Sequence, residues 1–250
     1  MSGAIASSST EASASSVYER IRPLIVGLGV GEVAWISWWL FSNGTGSAAL
    51  HGATLGWIVL MLGWLTLVTR LSHLDVFLNG TRWLSNLIGF MIVVAVSVAM
   101  FGAIASVRNA VFSAALATSD MQLISIHVLR LLAIGTAVKF WQGNLPRHFF
   151  LLGTIPDFLF AVSAILLLTS AGSGVLSPTF LIAWHTIGAV LFFGAGLSMF
   201  FSMPSPLRLF DSKPDASLVF QFPMVLAPNF TVPLFVVAHI FAVTKYIAGS

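Results

Sequence analysis

Cysteine is absent from the 250 residues of this chain. Its absence removes disulfide bonds, thiolate metal sites and cysteine nucleophiles together. The metal ligands considered below are therefore histidines.

Charge is also scarce, because Asp, Glu, Lys and Arg make up 8% of the residues, whereas hydrophobic residues make up 58% and mean hydropathy is +0.98. Soluble domains carry about 25% charged residues. A surface so poor in charge would aggregate in water, so lipid must solvate most of the chain. The net charge of +3 comes from few groups and forms no basic patch for nucleic acid.

Long hydrophilic stretches are missing too. The longest internal one, residues 203–222, is too short to fold as a domain and contains neither a phosphate-binding loop nor a serine nucleophile elbow. The chain therefore offers no hydrophilic segment long enough for a soluble catalytic domain, and the sequence singles out no catalytic residue.

The apolar runs predict an all-α integral membrane bundle of about seven transmembrane helices, since a span needs about 20 mostly apolar residues. Residues 1–17 are rich in Ser and Ala without Lys or Arg, which predicts a disordered cytoplasmic tail before a single transmembrane domain, 18–250. The predicted spans are 21–42, 50–70, 83–106, 120–140, 149–171, 177–202 and 223–247.

The basic residues predict the orientation, because Lys and Arg concentrate in cytoplasmic loops. The two residues on one side are Arg108 and Lys245, and Arg130 lies inside a span. The other side carries eight: Arg20, Arg22, Arg70, Arg82, Lys139, Arg147, Arg208 and Lys213. We therefore expect the amino terminus in the cytoplasm and the carboxyl terminus outside.

Two local patterns refine the ends of the spans. Four tryptophans fall where indole rings anchor among lipid headgroups, namely Trp38, Trp39, Trp83 and Trp141. Three prolines at the start of the seventh span each remove a backbone donor, which predicts a kinked or broken helix there: Pro223, Pro228 and Pro233.

A buried ion pair is predicted between the fourth and fifth spans. Arg130 lies roughly 13 Å from the inner end of its span and Asp157 about 12 Å from the same side. A lone charge at that depth would be uncompensated, so the two should pair. Glu32, near mid-depth in the first span, would join them as a proton-exchangeable carboxylate. The pair is either a structural latch between helices or part of a functional site.

Three histidines fall at one level in the outer half of the bundle. His127, His185 and His239 each lie roughly 10–12 Å below the outer surface on three different spans. Together they could ligate a transition metal, or two of them could be axial ligands of haem b. Alternatively, each could simply donate to a carbonyl of a neighbouring helix. No HExxH or HxxxH spacing occurs.

Over residues 121–245 the chain resembles a family of uncharacterised bacterial polytopic inner-membrane proteins. The matching segments are HVLRLLAIG, LPRHFFLLGTIPDFLFAV and PSPLRLFDSKPDASLVFQFPMVLAPNFTVPLFVVAHIFAVTKY. The resemblance carries over onto Arg130, Asp157, Pro233 and His239. Where this chain has His127 and His185, the family pattern has glutamine and asparagine, so the resemblance implies no three-histidine site and supplies no activity.

Three functions remain open. The first is a buried polar site at Arg130, Asp157 and Glu32 that handles a proton or a solute, or that tunes a partner membrane complex. The second is a haem- or metal-bearing redox or hydrolytic protein that uses the three histidines. The third is a purely structural subunit. The lipid bilayer and protein partners in a membrane complex are the expected contacts, and nucleic acid is not.

Overall fold

The computed structural model describes residues 5–44, 46–77, 83–170, 176–202 and 208–248, with the side chains of 5–21, 24, 83, 84 and 248 left out of that description. Within these ranges all regular structure is helical. The helices are α1 (Ile5–Asn43), α2 (Ala48–His73), α3 (Trp83–Gly102), α4 (Ala105–Ala117), α5 (Asp120–Trp141), α6 (Arg147–Ser170), α7 (Pro178–Ser202) and α8 (Val232–Ala248).

In the described part of the chain, seven helical segments are long and apolar enough to span a membrane. They are Ile25–Asn43, Ala48–His73, Ser85–Gly102, Asp120–Trp141, Arg147–Ser170, Pro178–Ser202 and Ala227–Ile247. Each matches one predicted span to within several residues. The prediction of an all-α chain with seven such helices is confirmed.

Helix α1 begins at Ile5 and extends through most of the segment 1–17, which the sequence predicts to be a disordered tail. Alanine is the strongest helix former, and neither Gly nor Pro interrupts residues 4–22. The backbone there is therefore helical. The division into a cytoplasmic tail and one transmembrane domain stays a prediction.

Helix α4 is missing from the predicted set. It has 13 residues, which is too short for a span, and its buried side chains recur about one turn apart at Val107, Val111, Ala114 and Ala115. This face packs against α8, whereas Arg108 is exposed. The segment is therefore an amphipathic connection and not a loop.

The last helix lies at the centre of the bundle. In the segment Ala227–Ile247, 61% of the most apolar stretch is buried, whereas no other candidate span in the described ranges exceeds 39%. It contacts α3, α4 and α7. A wide π-helical turn, Ala227–Thr231, precedes the regular helix and contains Pro228, so the predicted break at this end is confirmed.

One tryptophan prediction is wrong. Trp38 and Trp141 are exposed as expected of lipid-facing anchors, but Trp39 is fully buried and its indole N–H donates to the hydroxyl of Thr118. Consecutive residues of an α-helix point about 100° apart, so adjacent tryptophans cannot share one lipid-facing direction. The side chain of Trp83 lies outside the described residues.

Candidate functional site: a buried arginine and histidine cluster

The site begins with an irregular stretch in the middle of α5. Residues Ile126–Ala133 form a 3₁₀-helix, in which side chains three positions apart eclipse one another. His127 and Arg130 therefore project to the same side, and both are buried. A 3₁₀ run of this length within a longer helix is uncommon and often marks a functional or strained segment.

The structure brings Arg130 and Asp157 together. Arg130 Nε donates to Asp157 Oδ1 at 2.5 Å, and Nη1 donates to the carbonyl oxygen of Gly188 at 3.1 Å. The guanidinium also lies over the rings of Phe160 and Phe192, with its central carbon 4.3 Å and 4.1 Å from their centroids. Two neighbouring helices, α6 and α7, thus surround this cation with a carboxylate, a carbonyl and two ring faces, as a buried charge requires.

Hydrogen bonds link the guanidinium to two of the predicted histidines. Arg130 Nη1 lies 3.3 Å from His239 Nε2, which must accept because arginine only donates. A neutral His239 then carries its proton on Nδ1, 3.1 Å from Nδ1 of His185. His185 is therefore the acceptor of that second bond. The tautomers of both rings follow from Arg130.

The third histidine joins the cluster by stacking. The ring of His127 lies parallel to that of His239, with centroids 4.0 Å apart and planes 12° apart. Nitrogens of all three imidazoles lie within 4.8 Å of one another. The alternative prediction, that each histidine donates to a carbonyl, is wrong for the described residues, because no such bond occurs and the rings contact each other and Arg130.

Glu32 makes no hydrogen bond to this cluster among the described residues. It is fully buried, as the sequence predicts, but both of its carboxylate oxygens lack a hydrogen-bond partner there. No ion pair connects it with Arg130, whose carboxylate partner is Asp157. The part of Glu32 in a buried site shared with the ion pair therefore stays a prediction.

A cavity of about 420 Å³ adjoins the ion pair, and its lining includes Arg130 and Asp157. It extends along α5 to Lys139 and Gln142 at the far end of that helix. The Asp157 side chain is 23% exposed, whereas that of Arg130 is 0% exposed. Within the pair, the carboxylate is therefore the group that a molecule in the cavity meets. The volume of the cavity falls in the range of small-molecule sites.

A second polar cluster closes the opposite end of the site. The carboxylate of Asp120 accepts hydrogen bonds from the ammonium group of Lys245 and, at 2.9 Å, from the hydroxyl of Tyr246. The Tyr246 ring lies 6.3 Å from that of His185. The sequence does not predict this cluster, because its residues fall at the ends of spans, where charges are expected to be solvated.

The site also contains residues that the sequence did not predict, namely Gly188, Phe160, Phe192 and Trp184. Phe160 and Trp184 stack at 4.3 Å and surround His127. Gly188 follows His185 by three positions on α7, which places both on one helix face. The three-residue spacing from His185 is the sequence feature that could have indicated Gly188.

No protein-family model matches the chain, and no curated protein and no solved structure matches it. The resemblance over residues 121–245 therefore stays a prediction. The function has to be inferred from the geometry of the site.

Proposed function

We propose that this chain is a multi-pass bacterial inner-membrane protein that exchanges protons, alone or coupled to a small solute, at the buried Arg130–Asp157 pair. One observation carries the proposal. The pair lies between a cavity of about 420 Å³ on one side and a hydrogen-bonded pair of histidines on the other. Ionisable groups in such surroundings are costly and are typical of proton and solute pathways.

The orientation belongs to the same proposal. With the amino terminus in the cytoplasm, Lys139 and Gln142 lie near the cytoplasmic face and Asp120 and Lys245 near the outer face. The cavity would then give access from the cytoplasm. The cluster of Asp120, Lys245 and Tyr246 would cover the histidines from outside.

The side chains take different roles in this proposal. Arginine does not lose its proton in proteins, so Arg130 holds Asp157 and His239 in position and carries no proton itself. The exchangeable groups are the carboxylate of Asp157, which lines the cavity, and the imidazoles of His239 and His185. A neutral imidazole can accept a proton on one nitrogen and release one from the other.

Proton flux into liposomes tests the proposal. The purified protein is reconstituted around a pH-sensitive dye, and an acid pulse or a potassium–valinomycin potential drives the flux. The wild type should acidify the lumen faster than empty liposomes, and Asp157→Asn should return the rate to that background. Asp211→Asn is the matched control, because Asp211 also pairs with an arginine but is 93% exposed.

Two results would overturn the proposal. Asp157→Asn could conduct as fast as the wild type, or the wild type could be no faster than empty liposomes in either direction. A protein without flux that migrates with a partner on native gels would instead support the accessory or structural subunit.

A further inference from the structure

We propose that His127, His185 and His239 form a binding site for one monovalent copper ion. The site is distinct from the cavity and from the Asp157 carboxylate. It shares His185 and His239 with the proposed proton path, but metal binding itself does not require proton exchange. Three buried imidazoles from three helices supply the ligands.

The distances suit a single ion. A metal–imidazole bond is about 2.0–2.1 Å long, so two nitrogens on one ion lie about 3.3–3.6 Å apart in tetrahedral or trigonal geometry. Nδ1 of His185 and Nδ1 of His239 are 3.1 Å apart. The three ligand nitrogens lie within 4.8 Å of one another, so the widest separation has to close by about 1.5 Å at most. Ring rotation can supply that movement.

Unused nitrogens provide a second observation. Both ring nitrogens of His127 and Nε2 of His185 are buried without a hydrogen-bond partner among the described residues. Buried polar groups are normally hydrogen-bonded, and each one that is not requires an explanation such as a bound ion. A metal at the centre of the cluster would use the lone pair of His127, which receives no hydrogen bond in the described part of the chain, and would replace the hydrogen bond between Nδ1 of His185 and Nδ1 of His239.

The local charge favours copper in its monovalent state. Imidazole suits zinc, copper, iron and nickel, but the ligand group found among the described residues contains no carboxylate. A divalent ion on three neutral rings would leave a charge of +2 in a low dielectric, and Arg130 is already balanced by Asp157. A hydroxide could reduce the charge on zinc, but all three histidines are buried away from water. Cu⁺ leaves the smallest uncompensated charge.

The same contacts disfavour haem b. An iron with two axial imidazoles needs the macrocycle between the two rings. His127 stacks directly on His239 at 4.0 Å, and His185 is hydrogen-bonded to His239. No porphyrin fits between rings in this arrangement. A bare ion does.

Copper binding should also displace Arg130 from His239. If His239 binds the ion through Nδ1, its proton moves to Nε2, which can then no longer accept from Arg130 Nη1. The Nη1 bond to the carbonyl of Gly188 remains available. The metal-bound and the arginine-bound states of His239 are therefore alternatives.

Metal titration of the full-length protein in mild detergent tests the site. Cu⁺, kept reduced with ascorbate, is titrated in competition with a bathocuproine chelator, and Zn²⁺ is titrated in parallel. The wild type should bind one Cu⁺ per chain. His127→Gln and His185→Gln should each weaken binding beyond the roughly 10–100-fold that an outer-shell partner contributes. His51→Gln, which changes a histidine outside the cluster, should bind like the wild type.

The outcomes separate cleanly. Substoichiometric Cu⁺ on the wild type, equal binding by all variants, or histidine-dependent binding of Zn²⁺ in place of Cu⁺ would each overturn the assignment. If the variants fail to fold, X-ray absorption of the copper-loaded wild type decides, because a first shell without three nitrogen ligands contradicts the proposal. Proton flux is not part of this readout, so either proposal can fail alone.

Discussion

Arg130 shows how a single residue can hold a buried site together. Its guanidinium meets a carboxylate, a backbone carbonyl, an imidazole and two phenyl faces. A lysine has three donors at one point and no planar face, so it could not make these contacts at once. The residue type is therefore tied to this geometry and not to charge alone.

Removing this cation should destabilise the protein strongly. Arg130→Gln leaves the carboxylate of Asp157 buried without its partner, and the breaking of a buried pair costs about 3–5 kcal/mol. We expect that loss in the free energy of unfolding, measured by denaturant titration in mild detergent. Membrane yield should fall in parallel.

The pair Arg208–Asp211, whose carboxylate is 93% exposed, supplies the control for that experiment. Arg208→Gln removes a partner of a largely solvated carboxylate and should cost about 0–1 kcal/mol. Equal effects of the two substitutions would mean that the Arg130–Asp157 pair is not desolvated. The buried polar site would then have no physical basis.

At the scale of elements, α5 and α7 depart from plain helices where they form the site. The 3₁₀ stretch of α5 aligns His127 with Arg130. In α7, Gly188 has no side chain, which leaves space for the rings of Phe160 and His239. A methyl group on Gly188 would collide with the rings of Phe160 and His239. The absence of a side chain there is what lets α7, α6 and α8 approach one another.

Gly188→Ala should therefore disturb the site from within α7. Overpacking of this kind costs about 1–3 kcal/mol, because rigid rings have to move. Gly196→Ala is the control on the same helix, since nothing lies within 4 Å of its added methyl group. That control should be neutral or stabilise by up to about 1 kcal/mol. Thermal unfolding in detergent compares the two, and a Gly188→Ala variant as stable as Gly196→Ala would contradict the packing described.

For the whole molecule, composition was enough to predict seven apolar helices, because lipid-compatible segments are long and uniform. Depth counting along those helices placed Arg130 level with Asp157, and the three histidines level with each other. Depth alone could not show the direction in which each side chain points around its helix axis. Glu32 has the right depth but forms no hydrogen bond with any of these groups, and Trp39 turns inward although its position suits an anchor.

The missed features have two causes. Helix α4 is too short to register as a span, and the bonds between Asp120, Lys245 and Tyr246 join residues far apart in the chain. The cavity beside Asp157 arises from side chains of several helices. The polar cluster and the cavity both depend on how the helices are rotated and placed. The sequence pattern does not determine that rotation, because lipid-facing and core-facing residues are equally apolar.

The orientation of the whole molecule can be tested directly by cysteine labelling. Because the chain contains no cysteine, a single introduced thiol is the sole reactive one. Ser106 and Asn144 are both exposed, and the positive-inside pattern predicts that they lie on opposite sides. In intact cells or right-side-out vesicles, a membrane-impermeant maleimide should label Ser106→Cys without further treatment. It should label Asn144→Cys only after the membrane has been permeabilised. The reverse pattern would place the cavity mouth at Lys139 and Gln142 outside and turn the proposed direction of access around. Labelling of both without permeabilisation would place both residues on the outer side, and α5, the candidate span between them, would then not cross the bilayer.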